Sequence, residues 1–279
     1  MKYRKVGIAA CSDSLSEDSL KSLDKLEMIL HENNMQPVFC PYIFSNKTNI
    51  GVSGRHRAEA LMDLYNNPEI SDVFDVSGGD IANEVIPYLD FDLIKNSNKT
   101  FWGYSDLTTI LNSINSKTGK SSVLYQIRNI VANEERRNDF FNYFNNKYNG
   151  LFDFPYEFIK GEKMSGITVG GNIRCFLKLA GTDCFPDLNG KILLLESFCG
   201  GTAQMITYLS QLKMMGAFDK INGIVLGTFT KLEKNYGYDI IINLVKQYCG
   251  NLPIIKTKYI GHGVDSCAVE IGKYYTFTK

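Results

Sequence analysis

The sequence predicts an α/β protein made of two halves, and three observations support this. Apolar segments with strand composition alternate with segments whose apolar residues recur at helical spacing, which is typical of a mainly parallel sheet flanked by helices. The alternation is interrupted at residues 133–164 and restarts at Gly166. The 279 residues, 44% of them hydrophobic and 22% charged, are enough for two modest domains with substantial cores.

The first half, residues 1–132, is predicted to alternate strands and helices. Strands are expected at 5–11, 37–40, 72–76, 100–102 and 122–125, and helices at 20–30, at 55–65, near Glu84 and from Leu107. The helix from Leu107 is predicted because apolar residues recur on one face at positions 107, 110, 111 and 114. Ser14 and Glu17 are predicted to form a capping box before the first helix.

Residues 133–164 are interpreted as a connector, because they begin with a charged run and continue with closely spaced aromatic residues that lack strand alternation. The rings are expected to pack between the two halves, since aromatic side chains bury large areas. The alternative is that some of them line a substrate cleft. The aromatic residues in question are Phe140, Phe141, Tyr143, Phe144, Tyr148, Phe152, Phe154, Tyr156 and Phe158.

The second half, residues 165–279, is predicted to be a smaller α/β domain that is rich in strands. Its strands are expected at 166–172, 191–196, 223–229, 253–256 and 267–277, and its helices around 205–212 and at 239–249. Gly216 and Gly250 follow these two helices, and glycine is the residue that most often ends a helix.

Composition argues against several classes of function. The formal net charge is zero and there is no run of five basic residues, so nucleic-acid binding is not expected. The apolar run after Lys5 spans only about five residues, against roughly 7–15 in an export signal, and is interpreted as a buried first strand. No run approaches the ~20 apolar residues of a membrane span. Seven scattered cysteines without a CxxC pair indicate reduced thiols in a cytoplasmic protein, and no metal or cofactor motif is present.

Ser105 is a candidate nucleophile. It lies in the sequence Gly-Tyr-Ser-Asp, residues 103–106, between a predicted strand and a predicted helix. A sharp turn of this kind exposes a hydroxyl at a helix N-terminus, where free backbone N–H groups stabilise a developing negative charge. The alternative is structural, because Ser and Asp are also among the commonest helix N-caps.

Glu196 and His262 are candidates for the acid and the base that would serve such a nucleophile. Glu196 ends a strongly apolar strand, where a buried carboxylate needs a partner; the alternatives are a structural ion pair or a helix N-cap. His262 lies between two glycines, which suits an accessible base but also an ordinary loop histidine. Functional residues of α/β folds gather at the carboxyl ends of strands, so Ser105, Glu196 and His262 are predicted to meet there.

The segment Ser-Gly-Gly-Asp, residues 77–80, follows another predicted strand. Its backbone N–H groups would form one half of an oxyanion hole, and the N–H of Asp106 would form the other half. The alternative is that the two glycines only form a turn.

With these residues in hand, the chain resembles the LD-carboxypeptidase family (peptidase family S66), including its microcin C7 self-immunity branch. The resemblance implies two α/β domains with a Ser–Glu–His triad at their junction: Ser105 as nucleophile, Glu196 as orienting acid and His262 as base. It also implies an oxyanion hole at the backbone of Gly79 and Asp106, no metal, and frequent homodimers. The matching segments are residues 5–12, 57–74, 77–80, 89–94, 103–108, 171–182, 191–196 and 260–263.

The resemblance implies two substrates. Family members cleave the amide between an L- and a D-amino acid in cytoplasmic murein tetrapeptides and release D-Ala, whereas the microcin branch cleaves an amide that links a peptide or amino acid to a nucleotide-like group. This chain departs from the family at Asp80, where Tyr is usual, and at residues 125–127, where Ser-Gly-Pro is common. Because of these departures, the alternative to an enzyme is a binding protein that keeps the fold and has lost turnover. A glutaminase-like amidotransferase is disfavoured, because no cysteine lies in a GxCxG turn after a strand.

Overall fold

The computed structural model describes residues 3–13, 15, 19–43 and 52–279. The predicted capping box at Ser14 and Glu17 lies outside these residues. Within them, the strands are β1 (Arg4–Ala9), β2 (Met35–Phe39), β3 (Ile70–Asp75), β4 (Thr100–Gly103), β5 (Ser122–Leu124), β6 (Glu157–Lys160), β7 (Lys163–Asn172), β8 (Ile192–Ser197), β9 (Gly223–Phe229), β10 (Ile254–Lys256), β11 (Val269–Ile271) and β12 (Tyr274–Thr278).

The α-helices alternate with these strands. They are α1 (Leu20–Glu32), α2 (Gly54–Asn66), α3 (Phe91–Asn96), α4 (Thr108–Thr118), α5 (Asn129–Ala132), α6 (Glu134–Phe144), α7 (Ile173–Leu177), α8 (Thr202–Met214), α9 (Thr230–Tyr236) and α10 (Asp239–Lys246). The alternation produces two α/β units, which confirms the predicted fold class.

Each unit is built on a sheet that contains six strands in the described part of the chain. The first sheet has the order β11-β5-β4-β3-β1-β2, in which β5 to β2 are parallel and β11 is antiparallel to β5. The second sheet has the order β12-β7-β8-β9-β10-β6, with four parallel central strands and antiparallel strands at both edges. The central strands β8 and β9 are almost completely buried, as expected for parallel strands covered on both faces.

The two units are interlocked, because strand β11 comes from the C-terminal part of the chain but pairs with the first sheet. Its residue Val269 lies opposite Leu124 of β5. The chain then returns to the second sheet through β12, which pairs with β7. Ser105, which follows β4, and Glu196, at the end of β8, line one cavity, where the candidate site is found.

The aromatic segment 133–164 is partly regular, since it contains helix α6 and strand β6. The ring of Phe140, on α6, lies 5.6 Å from that of Phe74 and 6.3 Å from that of Trp102 in the first sheet. Farther along, the ring of Phe154 lies 6.1 Å from that of Phe277 in the second sheet. The rings therefore pack on both units.

No described helix combines the length and the apolar character that crossing a bilayer requires.

Candidate functional site

Ser105 lies on a sharp turn between β4 and α4. The turn begins as a 3-10 helix, in which the N–H of Leu107 donates to the carbonyl of Tyr104 at 2.9 Å. Ser105 has a φ of +53°, a left-handed conformation that is uncommon for a residue other than glycine. Gly103 permits the turn, because a Cβ at that position would lie 2.7 Å from the Cβ of Leu107. Such local strain is often found at functional residues.

Glu196 and His262 form a hydrogen-bonded pair. The Oε2 of Glu196, at the end of β8, lies 2.8 Å from Nδ1 of His262, and only 1% of the Glu196 surface is exposed. Gly261 brings the histidine loop close to the strand: its φ is +138°, and a Cβ there would lie 2.1 Å from Oγ1 of Thr228. The buried carboxylate therefore holds the imidazole through one of its two nitrogens.

The other nitrogen of His262, Nε2, does not contact Glu196. This Nε2 is buried and has no hydrogen-bond partner among the described residues. Ser105, Glu196 and His262 together line one small cavity, and Ser105 and His262 also line an adjoining cavity of about 500 Å³. The rings of Tyr104 and Phe198 lie 5.4 Å and 5.1 Å from the imidazole and restrict its orientation.

Gly79, in the loop after β3, lines the cavity of about 500 Å³. Its φ is +142°, and a Cβ at this position would lie 2.0 Å from Oδ2 of Asp13. Only glycine fits this conformation without displacing its neighbour. Burial, and then the nearby Asp106 carboxylate, raise the pKa of Asp13.

Asp106, the residue after Ser105, is completely buried. Its carboxylate accepts hydrogen bonds from Oγ of Ser12 at 2.7 Å and from the N–H of Ala82 at 2.8 Å. It also accepts one from Nζ of Lys178 at 2.5 Å. These three donors compensate for the loss of water around the carboxylate and hold the backbone of the turn in place.

Two cations of the second unit hold the loop that carries Gly79. Arg174, on α7, donates to the carbonyl of Gly79 at 3.2 Å and forms an ion pair with Asp80. Lys178, the residue after α7, donates to the carbonyl of Asp80 at 2.7 Å as well as to Asp106. Asp80 thus has a structural role, because its carboxylate pairs with both cations.

Sequence reasoning missed Arg174 and Lys178. The available signal was their spacing of four residues, directly after the Gly-Gly-Asn segment at 170–172, which places two cations on one side of a helix. Their acceptors lie more than 70 residues away in the chain, and this distance explains why the sequence did not reveal the contact.

Lys178→Met is expected to destabilise the protein by about 3 kcal/mol, because it leaves the buried Asp106 carboxylate without its cation. The measurement is urea unfolding, with Lys246→Met on an exposed part of α10 as the matched control. An unfolding free energy equal to that of the control would show that the ion pair contributes nothing to stability.

Among the described residues, no group of three or more His, Cys, Asp or Glu side chains is placed to hold a metal ion. The small cavity is lined by the hydroxyl of Ser105, the imidazole of His262 and the carboxylate of Glu196.

Residues 6–126 match the family profile of the LD-carboxypeptidase N-terminal domain, and residues 165–277 match that of the C-terminal domain. The chain is 28% identical over 219 residues to the microcin C7 self-immunity protein MccF of Escherichia coli, covering 66% of this chain and 64%, just under two thirds, of that protein. It is 26% identical over 268 residues to the probable murein peptide carboxypeptidase of Bacillus subtilis, covering 90% of this chain and 82% of the relative.

Solved structures have the same fold. MccF in complex with glutamyl sulfamoyl guanosine superposes with a TM-score of 0.85 at 18% identity, over 100% of this chain and 97% of the other. The muramoyltetrapeptide carboxypeptidase of Oxalobacter formigenes superposes with a TM-score of 0.80 at 20% identity, over 99% and 95% of the two chains. Since the two family profiles together cover most of the sequence, the chain belongs to the LD-carboxypeptidase family, whose carboxypeptidases are hydrolases.

Proposed function

We propose that this protein is a serine hydrolase that cleaves the L–D amide of a murein tetrapeptide and releases the terminal D-Ala. The observation that carries the proposal is the Glu196–His262 pair, whose free Nε2 faces the same small cavity as Ser105. The relative from B. subtilis, described as a probable murein peptide carboxypeptidase, supports the choice of substrate.

In the proposed reaction, the hydroxyl oxygen of Ser105 attacks the scissile carbonyl while Nε2 of His262 takes its proton. Glu196 accepts a hydrogen bond from Nδ1–H of His262. This bond keeps Nε2 unprotonated before the attack and stabilises the imidazolium afterwards. The C–N bond then breaks, and the imidazolium gives its proton to the leaving amine of D-Ala. Water, deprotonated by the same nitrogen, hydrolyses the acyl-serine and restores the hydroxyl.

The negative charge that develops on the carbonyl oxygen needs two donors. We propose the backbone N–H groups of Gly79 and Asp106, which lie on the two segments that Arg174 and Lys178 hold. Since these contacts hold both segments in the structure without substrate, we expect the two N–H groups to need little reorganisation during the reaction.

A second candidate is the hydrolysis of an amide that joins an amino acid or peptide to a nucleotide-like group. The observation that favours it is the similarity to MccF, one of whose solved complexes contains glutamyl sulfamoyl guanosine. The same nucleophile, base and oxyanion donors would serve this reaction with a different leaving group. A cytoplasmic location and a homodimer stay predictions in both cases, and a binding protein without turnover is the alternative.

The proposed function is tested by measuring the release of D-Ala from an L,D-tetrapeptide. The comparison substrates are the all-L tetrapeptide, from which release of L-Ala is measured, and an aminoacyl-nucleotide amide, from which release of the amino acid is measured. Release from the L,D-peptide alone is the expected result. Cleavage of the nucleotide amide alone would replace the first proposal by the second. The absence of cleavage, combined with failure of a serine-directed phosphonate to label Ser105, would favour the binding protein.

Gly79→Ala is expected to lower turnover by about 10²–10³-fold, the loss that follows removal of one oxyanion donor. The added methyl group would collide with Asp13 and shift the peptide N–H. Gly237→Ala is the matched control, because Gly237 also has a positive φ of +89° but has no atom within 4 Å of the added Cβ. Normal turnover in Gly79→Ala, at a melting temperature close to that of the control, would contradict the assignment of this donor.

A further inference from the structure

The wall of the large cavity contains a cation that has no counter-ion among the described residues. Arg128 follows β5 and lines the cavity together with Ser105 and His262. Its Nη2 donates to the hydroxyl of Tyr104 at 3.2 Å, which is its one side-chain hydrogen bond among the described residues. Its Nε is buried and has no partner in the described part of the chain.

Other cations near the site are neutralised. Arg174 pairs with Asp80, and Lys178 pairs with both Asp80 and Asp106. Arg128 forms no ion pair with any described residue, although it is only partly exposed. A partly buried guanidinium without a partner is unfavourable, and this cost is removed when an anion binds to it.

A second donor on the same wall also lacks an acceptor within the part of the chain that the structure describes. The Oε1 atom of Gln126 accepts a hydrogen bond from the backbone N–H of Arg128 at 3.1 Å. The Nε2 group of the same side chain takes no part in this bond. That Nε2 is buried and has no partner among the residues described. Arg128 and Gln126 therefore line the same cavity, and each has a buried donor for which the described residues provide no acceptor.

These donors lie close to the proposed chemistry. Tyr104 precedes Ser105, accepts the hydrogen bond from Arg128 and packs its ring 5.4 Å from that of His262. Gln126 lies in the segment 125–127, which follows β5 directly. This segment and Arg128 thus place side-chain donors on the wall of the cavity that Ser105 also lines.

We propose that Arg128 and Gln126 form an anion subsite that binds a negatively charged group of the substrate next to the scissile amide. This inference rests on the proposed function and names the substrate feature that the site selects. Arg recognises a planar carboxylate with two parallel hydrogen bonds, so the terminal carboxylate of an L,D-peptide fits this subsite. The ionised linker of an aminoacyl-nucleotide analogue carries the same charge, and the experiment distinguishes the two sources.

The test measures binding by calorimetry to Ser105→Ala protein, in which turnover does not interfere. The first ligand pair is the L,D-tetrapeptide as free acid and as C-terminal amide. The second pair is an aminoacyl adenosine with an ionised sulfamate linker and its neutral N-methylated counterpart. In each pair, only the charge at the proposed subsite changes substantially.

We expect the charged member of one pair to bind about 10- to 100-fold more tightly, the range for a charge-assisted hydrogen bond. Arg128→Gln should abolish this preference while leaving the affinity for the neutral member within a few fold. Arg128→Lys, which keeps the charge but lacks the planar fork, should retain part of it. Arg55→Gln is the matched control, since Arg55 is 69% exposed and pairs with Glu59 on the surface.

Preference for the peptide acid would identify the terminal carboxylate as the anion, and preference for the sulfamate would identify the linker. The inference is overturned when neither charged ligand is preferred, or when Arg128→Gln keeps the full preference. Release of D-Ala by the wild-type protein tests the proposed function separately. If D-Ala is released but no charged ligand is preferred, only the anion subsite is overturned. A preference that depends on Arg128 without any release would leave the subsite standing and overturn the activity.

Discussion

Ser105→Ala is expected to lower amide hydrolysis by at least about a thousandfold, since losing the nucleophile of such a triad leaves only binding and oxyanion stabilisation. The change removes one oxygen from a side chain that is only partly buried, so the fold should be unaffected. The loss should appear in kcat, while the affinity for the substrate stays close to that of the wild type. Steady-state kinetics of D-Ala release measure this effect.

Ser210→Ala is the matched control for this change. Ser210 lies on α8, and its hydroxyl bonds to that of Tyr248 at 3.1 Å, so the same atom is removed from a position away from the cavity. The control should hydrolyse the substrate at the wild-type rate and react with a serine-directed phosphonate. Turnover within tenfold of the wild type in Ser105→Ala would show that another group makes the attack.

Glu196→Gln should lower kcat by about 10²–10⁴-fold without disturbing the fold. The substitution keeps the shape of a side chain that is 1% exposed and lies 2.8 Å from Nδ1 of His262. An amide NH₂ group in place of Oε2 would donate to Nδ1 and thereby leave the proton on Nε2. In that tautomer, Nε2 has no lone pair with which to accept the proton of Ser105.

The control for this prediction is Glu59→Gln, which removes the same charge from an exposed ion pair on α2. The two variants are compared in kcat and in their 15N spectra, which report the histidine tautomer directly. Wild-type turnover together with an unchanged tautomer in Glu196→Gln would show that the carboxylate does not orient the imidazole.

Local sequence patterns were sufficient to predict most of the secondary structure. The strand–turn–helix around Ser105 depends on residues that are close in sequence: Gly103 gives Leu107 the space to fold back, and the next apolar residues recur at helical spacing. The buried strands β8 and β9 are rich in Ile, Leu and Val, so they were predicted within one residue of their observed bounds. In each case, the pattern and the structure have the same physical origin, which is the burial of one face or both.

Other elements were missed because their local pattern is weak. Helix α6 begins with six polar residues, and its buried rings follow one another so closely that their spacing does not indicate a helix. Helix α7 has five residues, too few to show a helical repeat. Strand β11 was expected near its position, but its pairing with β5 of the other unit is a long-range contact that its three residues do not encode.

The sequence alone determined the alternation of strands and helices and the order of Ser105, Glu196 and His262 at strand ends. It also located the turn at Ser105, because the conformation of a turn depends on a few neighbouring residues. Only the tertiary structure decided which side chains meet. Glu196 and His262 are 66 residues apart in the chain, and Lys178 reaches Asp106 across 72. Hydrogen bonds and ion pairs require atoms within a few ångströms, and that distance is set by how the two sheets pack.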